Sequence, residues 1–489
     1  MSRFGNAGYA ADRKGTNMLR VVLCTVFLFA SLGGAGKAVA ANAAIATDGM
    51  TVVDGERVFV LGLYENPEDD EVLRQAAQAG FNLVRAGNSD ALDRLDKAGL
   101  WSWVNTGYSI DLSENRDARV HELQRLVDTY GKHPALLVWE VPDEALWNCW
   151  YGPVTWRTVE EPRQQKEHID KLEDQALAEE LRLEQERVAE LWRQGAYVKA
   201  ETLANEIWKR LGLEPPRPDY GLTQSPSAAD RMCAGFIDGY MVLQSKDPAH
   251  PIWMNHAPRN QIGQLASFNV AADAVGCDIY PVPQSGLVGH SDIADKSLTS
   301  VGAYTDRMQK AAPGKPVWMV LQGFNWADIM QGLKDEQREQ LRPPTRSETR
   351  FMAYDAIVHG ARGILYWGTA YVSKDSEFWD DLLAVVKELS ELQPVLSAHH
   401  SARRITTTFA QTYGSVDRSI EVLPKDVDGK LWLIVVNEWS GPLAYTLHGL
   451  DGQDGVRYRA VGGGEEAVVS GGTLTLTLPG FSVHVLEPV

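Results

Sequence analysis

From residue 58 onward, short apolar runs rich in β-branched residues alternate with longer stretches whose apolar positions recur at helical spacing. The runs Val58–Tyr64, Asn82–Arg85, Trp101–Thr106, Ala135–Glu140, Pro251–Asn255, Ala274–Tyr280, Pro316–Gln322 and Gly363–Trp367 read as strands. Between them, Glu71–Ala79, Asp117–Tyr130, Glu348–His359 and Phe378–Leu392 each carry an apolar stripe and read as amphipathic helices. Strands that are apolar along nearly their whole length must be covered on both faces, which points to a parallel sheet wrapped by helices. Eight such units in order imply closure into a (β/α)8 TIM barrel over residues 53–396. The rival, an open doubly wound sheet, would place a Gly-rich phosphate turn after its first strand, and none is present.

One connection is too long for an ordinary loop. Roughly 85 residues separate the fourth strand from a helix beginning near Ser227. Within this insertion, about residues 151–226, the stretch Pro162–Leu213 is charged and Leu/Ala-rich. Its apolar positions include Ile169, Leu172, Leu177, Leu181, Val188, Leu191, Leu203 and Ile207. A break at Gln194–Ala196 divides it into an antiparallel helical hairpin. Loops after barrel strands emerge on the catalytic face, so the hairpin is expected as a wall or lid over the site, or else as a solvated decoration or oligomer contact. Past Leu396 the period changes to two. Alternating runs at Ser419–Leu423, Leu431–Val436, Leu443–Leu447 and Thr473–Leu478 are separated by turns such as Asp428-Gly429 and Gly471-Gly472. They predict a C-terminal antiparallel β-sandwich over residues 397–489. Thr345 or Ser347 caps the start of the seventh helix, Glu348–His359, with Glu348 in a structural role.

The N-terminus differs from the rest. Arg13, Lys14 and Arg20 precede the apolar run Val21–Leu32, and Ala38-Val39-Ala40 supplies small residues for cleavage. Residues 1–40 read as a signal peptide for a secreted or periplasmic protein, and residues 41–52 as a linker. No later stretch suits a membrane, so no membrane partner is expected after cleavage. The net charge of −18, from 47 Lys and Arg against 65 Asp and Glu, disfavours nucleic acid and anionic lipid as partners while leaving a neutral sugar open. Cys24 falls in the signal. Cys149, Cys233 and Cys277 remain, either with one Cys149–Cys233 disulfide or as buried thiols. They form no Cys-x-x-Cys pair, and neither a metal nor another cofactor is expected.

The segment Trp139-Glu140-Val141-Pro142-Asp143-Glu144 carries the chemistry. Pro142 removes a ladder donor and ends the fourth strand, which leaves Asp143 and Glu144 at its C-terminal mouth, where barrels keep catalytic groups. Hydrolysis of a glycosidic bond needs a carboxylic acid to protonate the leaving oxygen and a second carboxylate across the sugar. The plain alternative is a pair of acids favoured at a helix N-terminus. The segment resembles the strand-four signature of the clan of cellulases, mannanases, β-galactosidases and agarase-like barrels. That resemblance implies a glycoside hydrolase with Glu144 as acid/base, Asp143 in place of the usual sugar-binding Asn, and Glu140 as an inner glutamate.

The clan's nucleophile lies on the seventh strand, and here that residue is Gln322, an amide that cannot attack an anomeric carbon. Asp278, at the mouth of strand six, is the best-placed substitute, followed by Glu65 and Asp328. Other strand ends offer groups suited to a sugar: Tyr64, Glu65 and Asn66, Arg85, Asn105, Asn255 and His256, Tyr280, and Tyr366-Trp367. Trp147, Trp150, Trp326 and Trp367 are candidate platforms for pyranose faces. His256 has no partner at metal-ligand spacing and fits a hydrogen-bonding role. The expectation is therefore a glycoside hydrolase acting on a poly- or oligosaccharide substrate, with catalytic Glu144 and Asp278. Its alternative is a sugar-binding barrel that does not cleave. A third reading, an assembly protein using the hairpin as its interface, rests on the insertion alone. The absence of a Gly-x-Ser-x-Gly elbow disfavours esterase chemistry.

Overall fold

A computed structural model describes residues 41–284, 292–409, 419–464 and 466–489 of the chain. The signal peptide expected over residues 1–40 lies outside them. Eight parallel strands form a closed barrel: Val60–Leu63, Leu83–Ala86, Trp101–Asn105, Leu136–Glu140, Ile252–His256, Ala274–Ile279, Val317–Gln322 and Gly363–Trp367. The eighth strand pairs with the first, Gly363 opposite Val60 through Tyr366 opposite Leu63. All eight expected strands are found, but Val58 belongs to a separate short strand, Glu56–Val58. That strand and two others, Ala43–Ile45 and Thr51–Val53, make a small antiparallel sheet where a linker was expected. Ala41, Ala43 and Val53 join the apolar cluster that fills the barrel with Val60, Leu83, Leu137, Val138 and Val320. This sheet therefore packs onto the barrel, and runs of three residues are too short to show that alternation in sequence.

Indole rings fill the barrel interior. Trp103, Trp253 and Trp318 are fully buried. Trp103 meets Trp253 edge-on at 5.6 Å, and Tyr64 packs on both from above at 5.1 and 5.8 Å. Side chains of this size need missing neighbours. A Cβ on Gly276 would lie 2.2 Å from the Trp318 carbonyl oxygen and 3.2 Å from Trp253 Nε1, so a glycine is required in the sixth strand.

The outer layer follows from the helical periodicity. Helices Asp70–Ala79, Arg116–Tyr130, Arg346–Val358 and Glu377–Glu391 bury the apolar faces expected of them. Thr345, not Ser347, caps the third of these, its hydroxyl accepting from the Glu348 N–H while the Glu348 carboxylate accepts from the Thr345 N–H. A β-sandwich follows, with one sheet of Thr406–Phe409, Leu443–His448 and Thr473–Leu478 and one of five strands that includes Ile420–Val427, Lys430–Asn437 and Ser482–Pro488. The five-stranded sheet is apolar on both faces. Leu433, Val435 and Leu486 face the smaller sheet, whereas Ile434, Val436 and Val485 join the core around the barrel helices.

The insertion begins as the helix Ala145–Thr155 and continues through Trp156–Glu160 and Glu161–Ile169 into the hairpin Gln175–Arg193 and Tyr197–Arg210, which turns at the expected break. Ile169, Leu181, Val188, Leu191 and Ile207 give the hairpin a core of its own. The buried Arg157 ties its return. Nη1 lies 2.9 Å from both Glu161 oxygens, and the other donors reach the carbonyls of Arg217, Pro218 and Tyr220. Cys149, Cys233 and Cys277 are free thiols, so the Cys149–Cys233 disulfide does not form. Among the described residues no helix is long and apolar enough to cross a membrane. Gly276→Ala should lower unfolding free energy by about 1–3 kcal/mol, because the contact is with backbone that cannot swing away. Urea denaturation measures it, and an unchanged midpoint would contradict the packing described.

Candidate active site

Pro142 ends the fourth strand, and the chain turns sharply after it. Glu144 adopts a left-handed backbone with φ 51° and ψ 28°, a conformation that costs a non-glycine residue about 1–2 kcal/mol. Its N–H donates to the Asn255 carbonyl of the fifth strand at 3.3 Å. The helix Ala145–Thr155 starts next, but the Glu144 side chain makes no capping hydrogen bond to it. Glu144 is therefore not an ordinary helix cap. Its carboxyl lines a cavity of about 500 Å³ at the C-terminal mouth of the barrel.

Asp143, Glu144, Asn255 and Asp278 form the acidic side of that cavity. The Asn255 amide donates to Asp143 Oδ1 at 2.9 Å and more weakly to Asp278 Oδ1 at 3.4 Å. The carboxyls of Asp278 and Glu144 hydrogen-bond each other, which requires a proton between them. Burial raises the pKa of Glu144 to about 7, and the neighbouring charge of Asp143 adds to the rise. Asp278, buried more deeply, is raised well above the carboxylate range by burial first and by Glu144 and Asp143 next. Asp143 opens onto the cavity, yet its recess in the cleft raises it too, against the Asn255 hydrogen bond and the charge of Arg85. Glu140 lies beneath this floor, buried, accepting from Asn105 Nδ2 at 2.7 Å, and burial lifts it to about 8.

Aromatic rings make the remaining walls. Tyr280 stacks on Trp367 at 5.5 Å and 15°, and Trp326 meets Tyr280 edge-on at 6.2 Å. The Tyr64 hydroxyl is buried at the cavity without a hydrogen-bond partner. Across from them, Trp147 and Tyr151 stack one helical turn apart at 5.8 Å, and the Arg259 guanidinium lies 5.6 Å from the Trp147 ring. Acids, two amides and flat apolar faces around one void can grip a sugar ring by its C–H face and its hydroxyl rim.

The structure thus brings together Tyr64, Asp143, Glu144, Asn255, Asp278, Tyr280, Trp326 and Trp367, along with Trp147. Other candidates go elsewhere. Glu65 pairs with Lys374 Nζ at 2.7 Å, and His256 is buried against Asn269 Oδ1 at 2.8 Å with its pKa pushed down to about 4 by burial. Asp328 opens onto a separate surface hollow, while Trp150 and Tyr366 pack into the outer core. Gln322 is fully buried and its amide is used up. Nε2 donates to the carbonyls of Val282 and Phe324 at 2.7 and 3.1 Å, and Oε1 accepts from the Val282 N–H at 2.9 Å. It clamps the loop after strand six instead of facing a substrate. The hairpin contributes no residue to this lining, so of its expected roles the wall over the site is not the one seen; the helix Ala145–Thr155 forms that wall. Sequence reasoning missed Asn148, Tyr151, Arg259 and Met330. Tyr151 was legible from its four-residue spacing to Trp147 on one helix face; Arg259 and Met330 lie in loops that carry no such period.

No family profile matches the chain, and no curated protein sequence does. Among solved structures, it is similar to a glycoside hydrolase family 5 protein from Bacteroides vulgatus ATCC 8482, with a TM-score of 0.50 and 14% identity over 92% of this chain and 93% of that one. It is likewise similar to a β-galactosidase from Bacillus circulans sp. alkalophilus, with a TM-score of 0.50 and 10% identity over 88% and 99% of the two chains. A β-galactosidase from the psychrophilic Marinomonas ef1 matches at a TM-score of 0.42 and 14% identity over 68% of this chain, which spans 60% of that protein's length. The chain has the (β/α)8 fold of glycoside hydrolases. A carboxylate at the end of strand seven should cost stability. Gln322→Glu places a buried charge against two backbone carbonyls, and urea denaturation should show a loss of about 2–5 kcal/mol. A variant as stable as the parent would mean that the clamp is dispensable.

Proposed function

We propose that the protein hydrolyses O-glycosidic bonds in a poly- or oligosaccharide, with Glu144 as proton donor and Asp278 as the facing carboxylate. The observation that carries this reading is the hydrogen-bonded Glu144–Asp278 pair inside an aromatic-walled cavity at the barrel mouth. A general acid must hold its proton at working pH, and a pKa near 7 lets Glu144 do so. As substrate parts the two carboxyls their shared proton stays on Glu144, which gives it to the glycosidic oxygen as the bond to the anomeric carbon breaks, and the ionised Asp278 attacks that carbon to form a glycosyl ester. Water, deprotonated by the Glu144 carboxylate, then releases the sugar. Carboxyls near enough to hydrogen-bond are nearer to the about 5–5.5 Å of a retaining pair than to the about 6.5–9.5 Å of an inverting one, which supports the two-step retaining route once substrate parts them. Residues 1–40 read as an export signal, so the proposed site of action is outside the cytoplasm.

One observation favours a second reading. With Gln322 committed to backbone, the seventh strand offers no carboxylate, as expected of a barrel that binds sugar without cleaving it.

Glu144→Gln should lower kcat by about 10²–10⁴ while sugar binding survives, and Asp278→Asn should be comparably inactive. Reducing-end release from a polysaccharide panel measures both. Full activity in the Glu144 variant would sink the assignment, and binding without product release by the parent protein would select the second reading. For the active parent, kcat/KM should fall as pH rises through about 7, because the acid loses its proton there. A rate that stays flat to pH 9 contradicts Glu144 as the donor.

A further inference from the structure

The junction of barrel and β-sandwich holds another cluster of ionisable groups, none of which lines the cavity. Asp355 and His359 are four residues apart at the end of the helix Arg346–Val358, so both leave the same face. Glu438 follows the sandwich strand Lys430–Asn437 and meets them from the other domain. One ligand atom from each of the three lies within 4.8 Å of the others.

Two features point beyond an ordinary ion pair. Asp355 is wholly buried; Oδ2 accepts from the Gly302 N–H at 2.7 Å, and its carboxyl meets that of Glu438, a contact that requires a proton between them. Two buried carboxyls in contact cannot both ionise unless positive charge lies between them, and a cation can take the proton's place. His359 is already oriented. Asp306 Oδ1 holds its Nδ1 at 3.0 Å, which turns Nε2 toward Glu438 Oε1 at 2.9 Å. A carboxylate on the far ring nitrogen is the usual support of a metal-bound histidine. Gly302 keeps the space clear, since a Cβ there would lie 2.4 Å from His359 Cδ2 and 2.9 Å from Asp355 Oδ2. Glu438 also lines a surface cleft with Trp439 and Phe481, which gives an ion a way in.

We propose that Asp355, His359 and Glu438 bind a divalent cation of the zinc type and thereby fasten the β-sandwich to the barrel. One imidazole and two carboxylates match that ion's preference for nitrogen and oxygen ligands, with water in the fourth position. Ligand atoms on a tetrahedral zinc stand about 3.3 Å apart, so the 2.9 Å contact opens only slightly on binding. The proposal is independent of the sugar chemistry assigned to the cavity.

The test uses the full chain, stripped with EDTA and dialysed against zinc chloride. One zinc per chain should be retained, and the Tm should rise by about 3 °C at a hundredfold excess over Kd. Asp355→Asn removes a ligand. Because that variant is exposed to misfolding, Glu438→Gln on the sandwich side and Asp306→Asn behind the histidine provide the decisive comparison, each binding at least tenfold more weakly. Cobalt(II) in place of zinc should give visible bands that these variants lose. No retained zinc, or equal binding by the parent protein and both of these variants, overturns the proposal.

Discussion

The pairing of Gly363–Trp367 with Val60–Leu63 is the contact on which the rest depends. It joins the last barrel strand to the first across some three hundred residues and turns an open sheet into a ring without edges. Closure on this scale must overcome a large loop entropy, and the interior provides the compensation. Trp103, Trp253 and Trp318 fill the ring, and Gly276 leaves them room. Because all eight strands run the same way, closure gathers their C-terminal residues at one rim. Residues distant in sequence, such as Tyr64, Glu144, Asn255, Asp278 and Trp367, then share one cavity.

Gathering acids in one recess has an electrostatic consequence. Three carboxyls cannot all ionise in such a recess, so Glu144 and Asp278 hold a proton between them, and Glu140 below is lifted to about 8. Arg85 and Arg259 offset only part of this: the first favours ionised Glu140 and Asp143, the second ionised Glu144. Gln322 fits the same constraint. A neutral amide on strand seven adds no charge to the floor, and its fixed donors and acceptor tie that strand to the loop beyond strand six.

The appended parts follow simpler rules. The five-stranded sheet has two apolar faces, one for its partner sheet and one for the barrel helices, so the sandwich is docked by the same pattern that folds it. The hairpin carries its own small core and the buried Arg157–Glu161 pair. With its apolar surface already covered, it does not need the cavity to be stable, and it contributes nothing to the lining.

Periodicity along the chain determined the barrel, the hairpin with its turn at Gln194–Ala196, and the sandwich, because burial of one face repeats locally and leaves a local record. The end of strand four was equally legible, since Pro142 stops a ladder wherever it occurs. Glu144 could be placed at the barrel mouth for that reason, and Asp278 by its position near the end of strand six. Their contact could not, because it depends on how two strands 130-odd residues apart are brought together by ring closure. Tertiary structure alone decided that Gln322 turns to backbone, that Glu65 takes Lys374, and that His256 is buried beside Asn269. The same holds for Asp355, His359 and Glu438, where two residues share a helix face but the third arrives from another domain. Side-chain partners of this kind are set by distance in space, and the sequence records only distance along the chain.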